Sequence, residues 1–127
     1  MTSEDRTSEH RASDQPLFHI ALVEDWIDAY RDGEYRMSTR GMTLDTVGFI
    51  HLSTRAQLVA TANRFYGDLD ELTVLTIDPA RLSDPVRFEP VPDSDQLFPH
   101  LYGPLPLSAV LDARLWHRGP DGWTVAS

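Results

Sequence analysis

The sequence predicts one α+β domain, with mixed or antiparallel sheets and two main helices. The chain has 127 residues, a length typical of a single domain with one core. Short segments that alternate apolar and polar residues are typical of strands, and they occur before, between and after two segments with apolar residues at helical spacing. There are no internal repeats. We therefore expect one domain over residues 16–127.

The first 15 residues, MTSEDRTSEHRASDQ, differ in composition from the rest of the chain. They include four acidic residues and lack the apolar segment of a signal peptide, which predicts a disordered N-terminal leader over residues 1–15. No apolar run approaches the roughly 18 residues that a membrane helix needs. Without cysteine, the chain can form no disulfide, thiol nucleophile or cysteine-ligated zinc site. A cytoplasmic location is the default expectation.

The net charge of the chain limits the classes of partner that it is expected to bind. The formal net charge is −9, from 11 basic and 20 acidic residues. Nucleic acid and anionic membranes should repel such a chain on average, so we expect neither as a partner. A local basic pocket is still compatible with this charge, and two arginines with backbone amides would hold a small anionic ligand. A small-molecule partner is therefore the expectation, and the oligomeric state is left open.

The first half of the domain contains two predicted strands and both main helices. LFHIALV, residues 17–23, alternates as a strand does, and Trp26 and Tyr30 then recur at helical spacing before Gly33. Residues 34–47 have no clear period, which predicts a loop or a short strand. VGFIHL, residues 47–52, is the next predicted strand.

The second main helix is predicted over residues 55–67. Ser53 or Thr54 can cap its first turn, because a hydroxyl satisfies a free amide there. Leu58, Ala62 and Phe65 form one apolar stripe, and Gly67 is a plausible end.

The second half is predicted to be mostly strand. Residues 71–78, ELTVLTID, are apolar on both faces and indicate a central strand. Residues 86–91 read as a short strand, and residues 111–118 alternate as a strand does. The proline-rich residues 92–106 predict an ordered loop packed on the body of the domain. A turn then leads to a final predicted strand over residues 122–125.

Two histidines stand at the ends of apolar segments and are the main candidate site residues. His51 follows Phe49 and Ile50, and His100 lies in FPHLYGPL. Apolar neighbours lower the pKa of an imidazole and keep it neutral, so that it can accept a proton or donate one hydrogen bond. The simpler alternative is that each ring bonds a backbone carbonyl and packs. The sequence predicts a cleft between the FIHLST and FPHLYGPL segments.

The start of the second helix adds polar groups beside His51. Ser53 and Thr54 are well placed as caps, and a helix N-terminus is also a natural anion site. A nucleotide phosphate would fit there, with Arg55 or Arg64 nearby. Gln57 lies one turn further on and could face the same ligand.

Glu89 and Tyr102 are candidates with equally simple structural explanations. Glu89 could be a solvent-facing strand residue, and Tyr102 a loop anchor that packs its ring. Together with His19, His51 and His100, Glu89 also makes a conceivable set of zinc or iron ligands. No pair among them has a recognised ligand spacing, so we expect no metal.

The motifs GFIHLST, VRFEP and FPHLYGPL together resemble a small uncharacterised bacterial family, number 952 in the domain-of-unknown-function series. The resemblance covers roughly residues 17–116. It implies an ADP-ribosyltransferase-like fold, which includes toxin-like transferases and the NAD-dependent tRNA 2′-phosphotransferases. Such folds bind NAD in a cleft between two small sheets. Because a fold can host many functions, no reaction follows from the resemblance alone.

The resemblance implies roles for individual residues, with NAD as the candidate cofactor. His19 matches the first-strand group, His51 with Ser53 or Thr54 the middle-strand group, and Glu89 the acidic position. In ADP-ribosyl transfer, the histidines would orient the ribose or diphosphate, and Glu89 would hold the ribose 2′-hydroxyl. Tyr102 would close the pocket over a flat ring, and His100 and Gln57 would contact the ligand.

A non-catalytic module of the same fold, which binds a small ligand or a partner, is the alternative to a transferase. The HGT tripeptide common on the first strand of the transferases is here His19-Ile20-Ala21. This departure favours the alternative.

Overall fold

Strand β6 (Glu71–Ile77) is the centre of the first of two three-stranded sheets. Its neighbours are β1 (Leu17–Ala21) and β10 (Val110–His117), and both pair with it in antiparallel fashion. Five of its seven residues are buried, and they lie on both faces. The prediction of a central strand from its two apolar faces is therefore confirmed. The computed structural model describes residues 15–125, so nearly all of the predicted leader lies outside the described residues.

The two main helices are confirmed. Helix α1 (Val23–Asp32) ends at Gly33, which adopts a left-handed φ of 94° and donates its N–H to the Ala29 carbonyl. A single turn, α2 (Leu44–Val47), was not predicted. Helix α3 (Arg55–Phe65) begins with a capping box formed by Thr54 and Gln57.

The second sheet has the order β5–β8–β7, with β5 (Ile50–His51), β8 (Leu97–Leu101) and β7 (Val86–Pro90) all antiparallel. The predicted cleft between the FIHLST and FPHLYGPL segments is therefore wrong. The two segments are hydrogen-bonded neighbours, and His51 pairs directly with His100.

Strand β8 lies within the proline-rich segment that predicts a loop, and that prediction is wrong for its middle. Pro99 sits in β8, the central strand of the sheet, where proline is normally excluded. Its carbonyl accepts the Leu52 N–H at 2.9 Å. Because the N–H and C=O of a strand residue point to the same side, the missing donor faces the end of β5 and disrupts no bond to β7.

Four further strands are two or three residues long. Three of them, β2 (Glu34–Tyr35), β3 (Met37–Thr39) and β4 (Met42–Thr43), lie in the segment predicted as a loop or a short strand. The fourth, β9 (Leu105–Pro106), lies at the end of the proline-rich segment. β2 pairs with β9, and β3 pairs with β4.

The C-terminal segment packs without forming the predicted final strand. An isolated bridge between Gly119 and Gly122 is the remnant of that hairpin. Trp123 is buried, and its ring N–H donates to the Tyr66 carbonyl at 2.9 Å. Asn63 holds the Trp123 backbone with two side-chain hydrogen bonds. The apolar residues of this segment thus contribute tertiary contacts, which have no strand period.

The core lies on both faces of the first sheet. Alternate residues of β6 enter two clusters, with Leu75 and Ile77 in one and Leu72 and Val74 in the other. Helix α3 covers the second cluster, whereas helix α1 and the second sheet contribute to the first. Within residues 15–125, no helix is long and apolar enough to cross a membrane.

His19 links the two sheets. It lies in β1, is 2% exposed, and is hydrogen-bonded through both ring nitrogens. Its Nδ1–H donates to the His51 carbonyl at 2.6 Å, and the Tyr35 hydroxyl donates to its Nε2 at 2.9 Å. Burial lowers the pKa of His19 to about 4, so the ring is neutral at pH 7. Strands β1, β2 and β5 therefore meet at one uncharged imidazole.

The His19 contacts predict a loss of stability in acid. The unfolded state gains a proton near the ordinary pKa of 6.5, whereas the folded state gains it near 4. The unfolded state thus binds more protons between these values. We expect His19 to reduce the free energy of unfolding by about 2 kcal/mol as the pH falls from 7 to 5.

Urea denaturation of H19Q and the parent at both pH values measures this term. Glutamine offers a donor and an acceptor but does not titrate, so H19Q should lose less stability than the parent between pH 7 and pH 5. His117, whose side chain is 67% exposed, provides the matched control H117Q. An equal loss of stability in the parent and H19Q contradicts the prediction.

Candidate functional site

A cleft of about 610 Å³ opens beside His51. Its walls are helix α3, strand β3 and the segment of residues 91–98, and its floor includes His19 and Ile20 of β1. This volume is within the roughly 300–1,000 Å³ of small-molecule sites. The cleft therefore lies to one side of the β5–β8 pair, with helix α3 as its opposite wall.

His51 connects the cleft to the polar face of the second sheet. Its half-buried ring lines the cleft, and it also contacts the His100 ring edge-to-face, with centroids 5.1 Å apart at 88°. Burial, and secondarily the nearby His100, lowers the pKa of His51 below its ordinary value. The neutral form is thus favoured, with one nitrogen that donates and one that accepts.

Next to His51, the side chains of His100 and Tyr102 donate to the same carboxylate oxygen of Glu89. We call Glu89, His100 and Tyr102 the Glu89 cluster. The His100 Nδ1–H donates to Glu89 Oε1 at 2.8 Å, and the Tyr102 hydroxyl donates to the same oxygen at 2.6 Å. These bonds, that from Tyr102 first, lower the pKa of Glu89, and the bond to Glu89 raises the pKa of Tyr102. Glu89 is therefore the charged acceptor that orients two neighbours.

His100 has a buried nitrogen without a partner. The residue is 2% exposed, and its Nε2 contacts no hydrogen-bonding group among residues 15–125. The Phe49 ring stacks on the imidazole, with centroids 4.0 Å apart at 15°. The His100 ring is thus held in place by Glu89 and Phe49, with one nitrogen unpaired.

His19 lines the floor of the cleft but has no nitrogen free for a ligand. Both nitrogens bond to Tyr35 and His51 within the fold. Its contact with the His51 carbonyl instead fixes the backbone from which the His51 ring projects. The geometry therefore makes His19 a positioning residue.

The three predicted residues at the start of helix α3 divide between the cleft and the cap. Ser53 is buried, lines the cleft and pairs its backbone with Phe18 at 2.7 and 2.8 Å. Thr54 is the helix cap, and its N–H donates to Gln57 Oε1 at 3.0 Å. The Gln57 Nε2 donates to the Leu97 carbonyl at 2.9 Å, which joins the helix to the opposite wall.

The charged residues of the cleft are Arg40, Arg64 and Asp93. Arg64 was predicted near a phosphate, and it lies 3.6 Å from Asp93 in an exposed ion pair. Arg40 makes two hydrogen bonds to Asp68, at 2.9 and 2.7 Å. Arg55, the other predicted phosphate neighbour, lies instead over the Phe18 ring, outside the lining of the cleft.

Ser38 is a cleft residue that sequence reasoning missed. It lies in the short strand β3, is 0% exposed, and its hydroxyl has no hydrogen-bond partner within residues 15–125. A serine in a segment without a period carries no signal in the sequence. Its strand β3 packs against β1 and β5, which are distant from it along the chain.

The structure brings the predicted residues together as two adjoining groups. His19, His51, Ser53 and Gln57 line the cleft, and Glu89, His100 and Tyr102 form the Glu89 cluster. The contact between the His51 and His100 rings joins the two groups. Across residues 15–125, no three acidic or histidine side chains are grouped so that they could hold a metal ion.

Solved structures of one bacterial protein have the same fold as this chain. A crystal structure of protein CC0527 from Caulobacter crescentus has a TM-score of 0.74 and 26% sequence identity, covering 86% of this chain and 92% of that chain. The solution NMR structure of CC0527 has a TM-score of 0.70 and 26% identity, covering 85% and 90%. No curated protein matches the sequence.

A family model described as "Protein of unknown function (DUF952)" matches residues 20–113. The matched segment contains β5, β7 and β8 and includes His51 and the whole Glu89 cluster, whereas His19 lies one residue before it. The chain belongs to the DUF952 family.

Proposed function

We propose that this protein binds a nucleotide-like small molecule in the cleft, with NAD as the candidate ligand. The observation that carries the proposal is the position of His51, whose ring lines the cleft and contacts the Glu89 cluster. A ligand in the cleft would meet a neutral imidazole backed by an ordered network of hydrogen bonds. Such a convergence of a few polar groups on a largely apolar hollow is typical of a ligand site.

The remaining lining of the cleft suits the three parts of a nucleotide. Phe98 and the exposed Phe65 offer aromatic surface for a flat ring, and Ser53 offers a hydroxyl for the ribose. Arg64 offers positive charge for a phosphate. Its 3.6 Å ion pair with Asp93 is exposed, and exposed pairs contribute at most about 1 kcal/mol. A phosphate could therefore displace Asp93 at small cost.

ADP-ribosyl transfer from NAD is the finer hypothesis, and it rests on the resemblance of the family to the transferase fold. In this reaction the bond between ribose C1′ and nicotinamide breaks, and nicotinamide leaves with the bonding electrons. The acceptor then bonds C1′ and loses a proton. Glu89 Oε1 is already bonded to His100 and Tyr102. The second carboxylate oxygen would hold the ribose 2′-hydroxyl, while His51 would orient the ribose.

A binding module without catalysis is the second candidate, and one observation favours it. Two of the three predicted catalytic side chains are engaged within the fold, His19 through both nitrogens and Glu89 through Oε1. His51 alone remains as a largely uncommitted group. A site of this kind can recognise a ligand without changing it.

The first prediction tests whether the cleft is the ligand site. Ala60 is exposed on helix α3 and lines the cleft, so A60W should fill the cleft without entering the core. We expect millimolar NAD or ADP-ribose to raise the melting temperature of the parent, because a ligand that binds the folded state stabilises it. The A60W variant should lose this shift. The control is A80W, at an exposed alanine outside the cleft lining. No shift in the parent, or equal shifts in both variants, contradicts the proposal.

The second prediction concerns the unpartnered hydroxyl of Ser38. A buried hydroxyl without a partner destabilises the fold, so S38A should raise the free energy of unfolding in urea by about 1 kcal/mol. If a ligand supplies the missing partner, S38A should also weaken NAD binding severalfold in calorimetry. S83A, at an exposed serine, is the control. A less stable S38A, or one that binds as the parent does, contradicts the prediction.

The third prediction separates transfer from binding. Nicotinamide released from NAD, followed by chromatography, should be detectable with the parent if the protein is a transferase. H51Q and E89Q should then reduce release by about 100-fold or more, the usual loss on removal of a group that acts in the transition state. Binding of NAD without release supports the binding module instead. Release that persists unchanged in both variants contradicts the transfer roles of His51 and Glu89.

A further inference from the structure

The outer edge of β10 is an open, apolar strand edge. Within residues 15–125, β10 pairs on one side with β6 and has no strand on the other. Residues 111–115 are all exposed, including Leu111 at 54% and Leu115 at 49%. An edge of this kind presents unpaired backbone N–H and C=O groups that can pair with another chain.

Two other sheet edges, those of β1 and β7, are less open than the edge of β10. The outer edge of β1 is occupied by the bridge between Phe18 and Ser53. Strand β7 is short, with Pro85 before it and Pro90 at its end. β10 contains eight residues with no proline, glycine or lysine. Its one irregularity is a register shift between Val110 and Asp112, so the strand is regular from Asp112 onward.

We propose that β10 pairs with β10 of a second copy of this chain, in an antiparallel two-fold arrangement centred on Ala113. The β1–β6–β10 sheets of the two copies would then join into one sheet of six strands. In this register Asp112 lies opposite the partner's Arg114, and Ala113 lies opposite the partner's Ala113. The contact between Asp112 and Arg114 occurs twice because the interface is symmetric.

The charges of β10 select this register over its neighbours. Centring the pair on Asp112 would place two aspartates opposite each other, and centring it on Arg114 would oppose two arginines. Like charges directly opposite in a sheet are destabilising, and opposite charges are favourable. The centre at Ala113 pairs every charge with its opposite. In the single chain, Asp112 and Arg114 form an exposed 3.6 Å ion pair, so both can exchange partners at small cost.

The proposed dimer is independent of the proposed function. No residue of β10 lines the cleft, so ligand binding and pairing through this edge involve different surfaces. Failure of NAD to bind would leave the dimer proposal intact, and a monomeric protein would leave the ligand proposal intact.

A charge exchange tests the pairing. D112R and R114D each place like charges opposite each other in the dimer, so each variant alone should dimerise at least about tenfold more weakly than the parent. The double variant D112R/R114D restores opposite charges and should dimerise as the parent does. An equimolar mixture of D112R and R114D should form a heterodimer. Sedimentation velocity over a range of concentrations measures all four samples, and melting temperatures check that each variant is folded.

A second pair of variants tests the apolar part of the edge. L115N should weaken the dimer, because Leu115 is an exposed leucine in the regular part of β10 and the dimer would cover it. The control L97N changes a similarly exposed leucine in β8 and should leave association unchanged. A parent that sediments as a monomer at every concentration overturns the proposal. A dimer that is unaffected by the charge variants and by L115N overturns it equally.

Discussion

A buried, neutral imidazole in β1 is the constraint on which the rest of the site depends. His19 cannot be charged in its surroundings, and a buried polar group must be hydrogen-bonded or it costs free energy. The Tyr35 hydroxyl and the His51 carbonyl satisfy its two nitrogens. The two partners, Tyr35 and His51, lie on different strands and are distant from His19 along the chain. This side chain therefore ties β5 to β1 on the side away from β8, and it helps to fix the backbone that carries the His51 ring.

The histidines consequently differ in role although each sits beside apolar residues in the sequence. His19 is bonded on both sides and serves the fold. His100 is fixed through one nitrogen by Glu89 and covered by Phe49. His51 is half-buried, faces the cleft and contacts His100. Sequence context predicts a desolvated imidazole for His51 and His100, but hydrogen-bond partners determine which of the three histidines can meet a ligand.

Local patterns in the sequence were sufficient for the elements that depend on them. The two apolar faces of β6, the helical spacing of α1 and the cap at Thr54 each predicted an element correctly. The loop prediction around Pro99 was wrong because proline is excluded from a central strand unless the neighbouring strand ends beside it. Where that neighbour ends depends on tertiary structure. The prediction of a final strand at Trp123 was wrong because this apolar residue is there to pack on α3. Ser38 has no local signal, and the nearness of Glu89 to His100 required the pairing of β7 with β8.

The two unpartnered polar atoms found among residues 15–125, Ser38 Oγ and His100 Nε2, differ in their relation to the cleft. Ser38 lines the cleft, and its hydroxyl can both donate and accept a hydrogen bond. His100 is absent from the lining and is connected to the cleft through the edge-to-face contact of its ring with His51. A molecule in the cleft would therefore meet Ser38 directly, but it would meet the Glu89 cluster through His51.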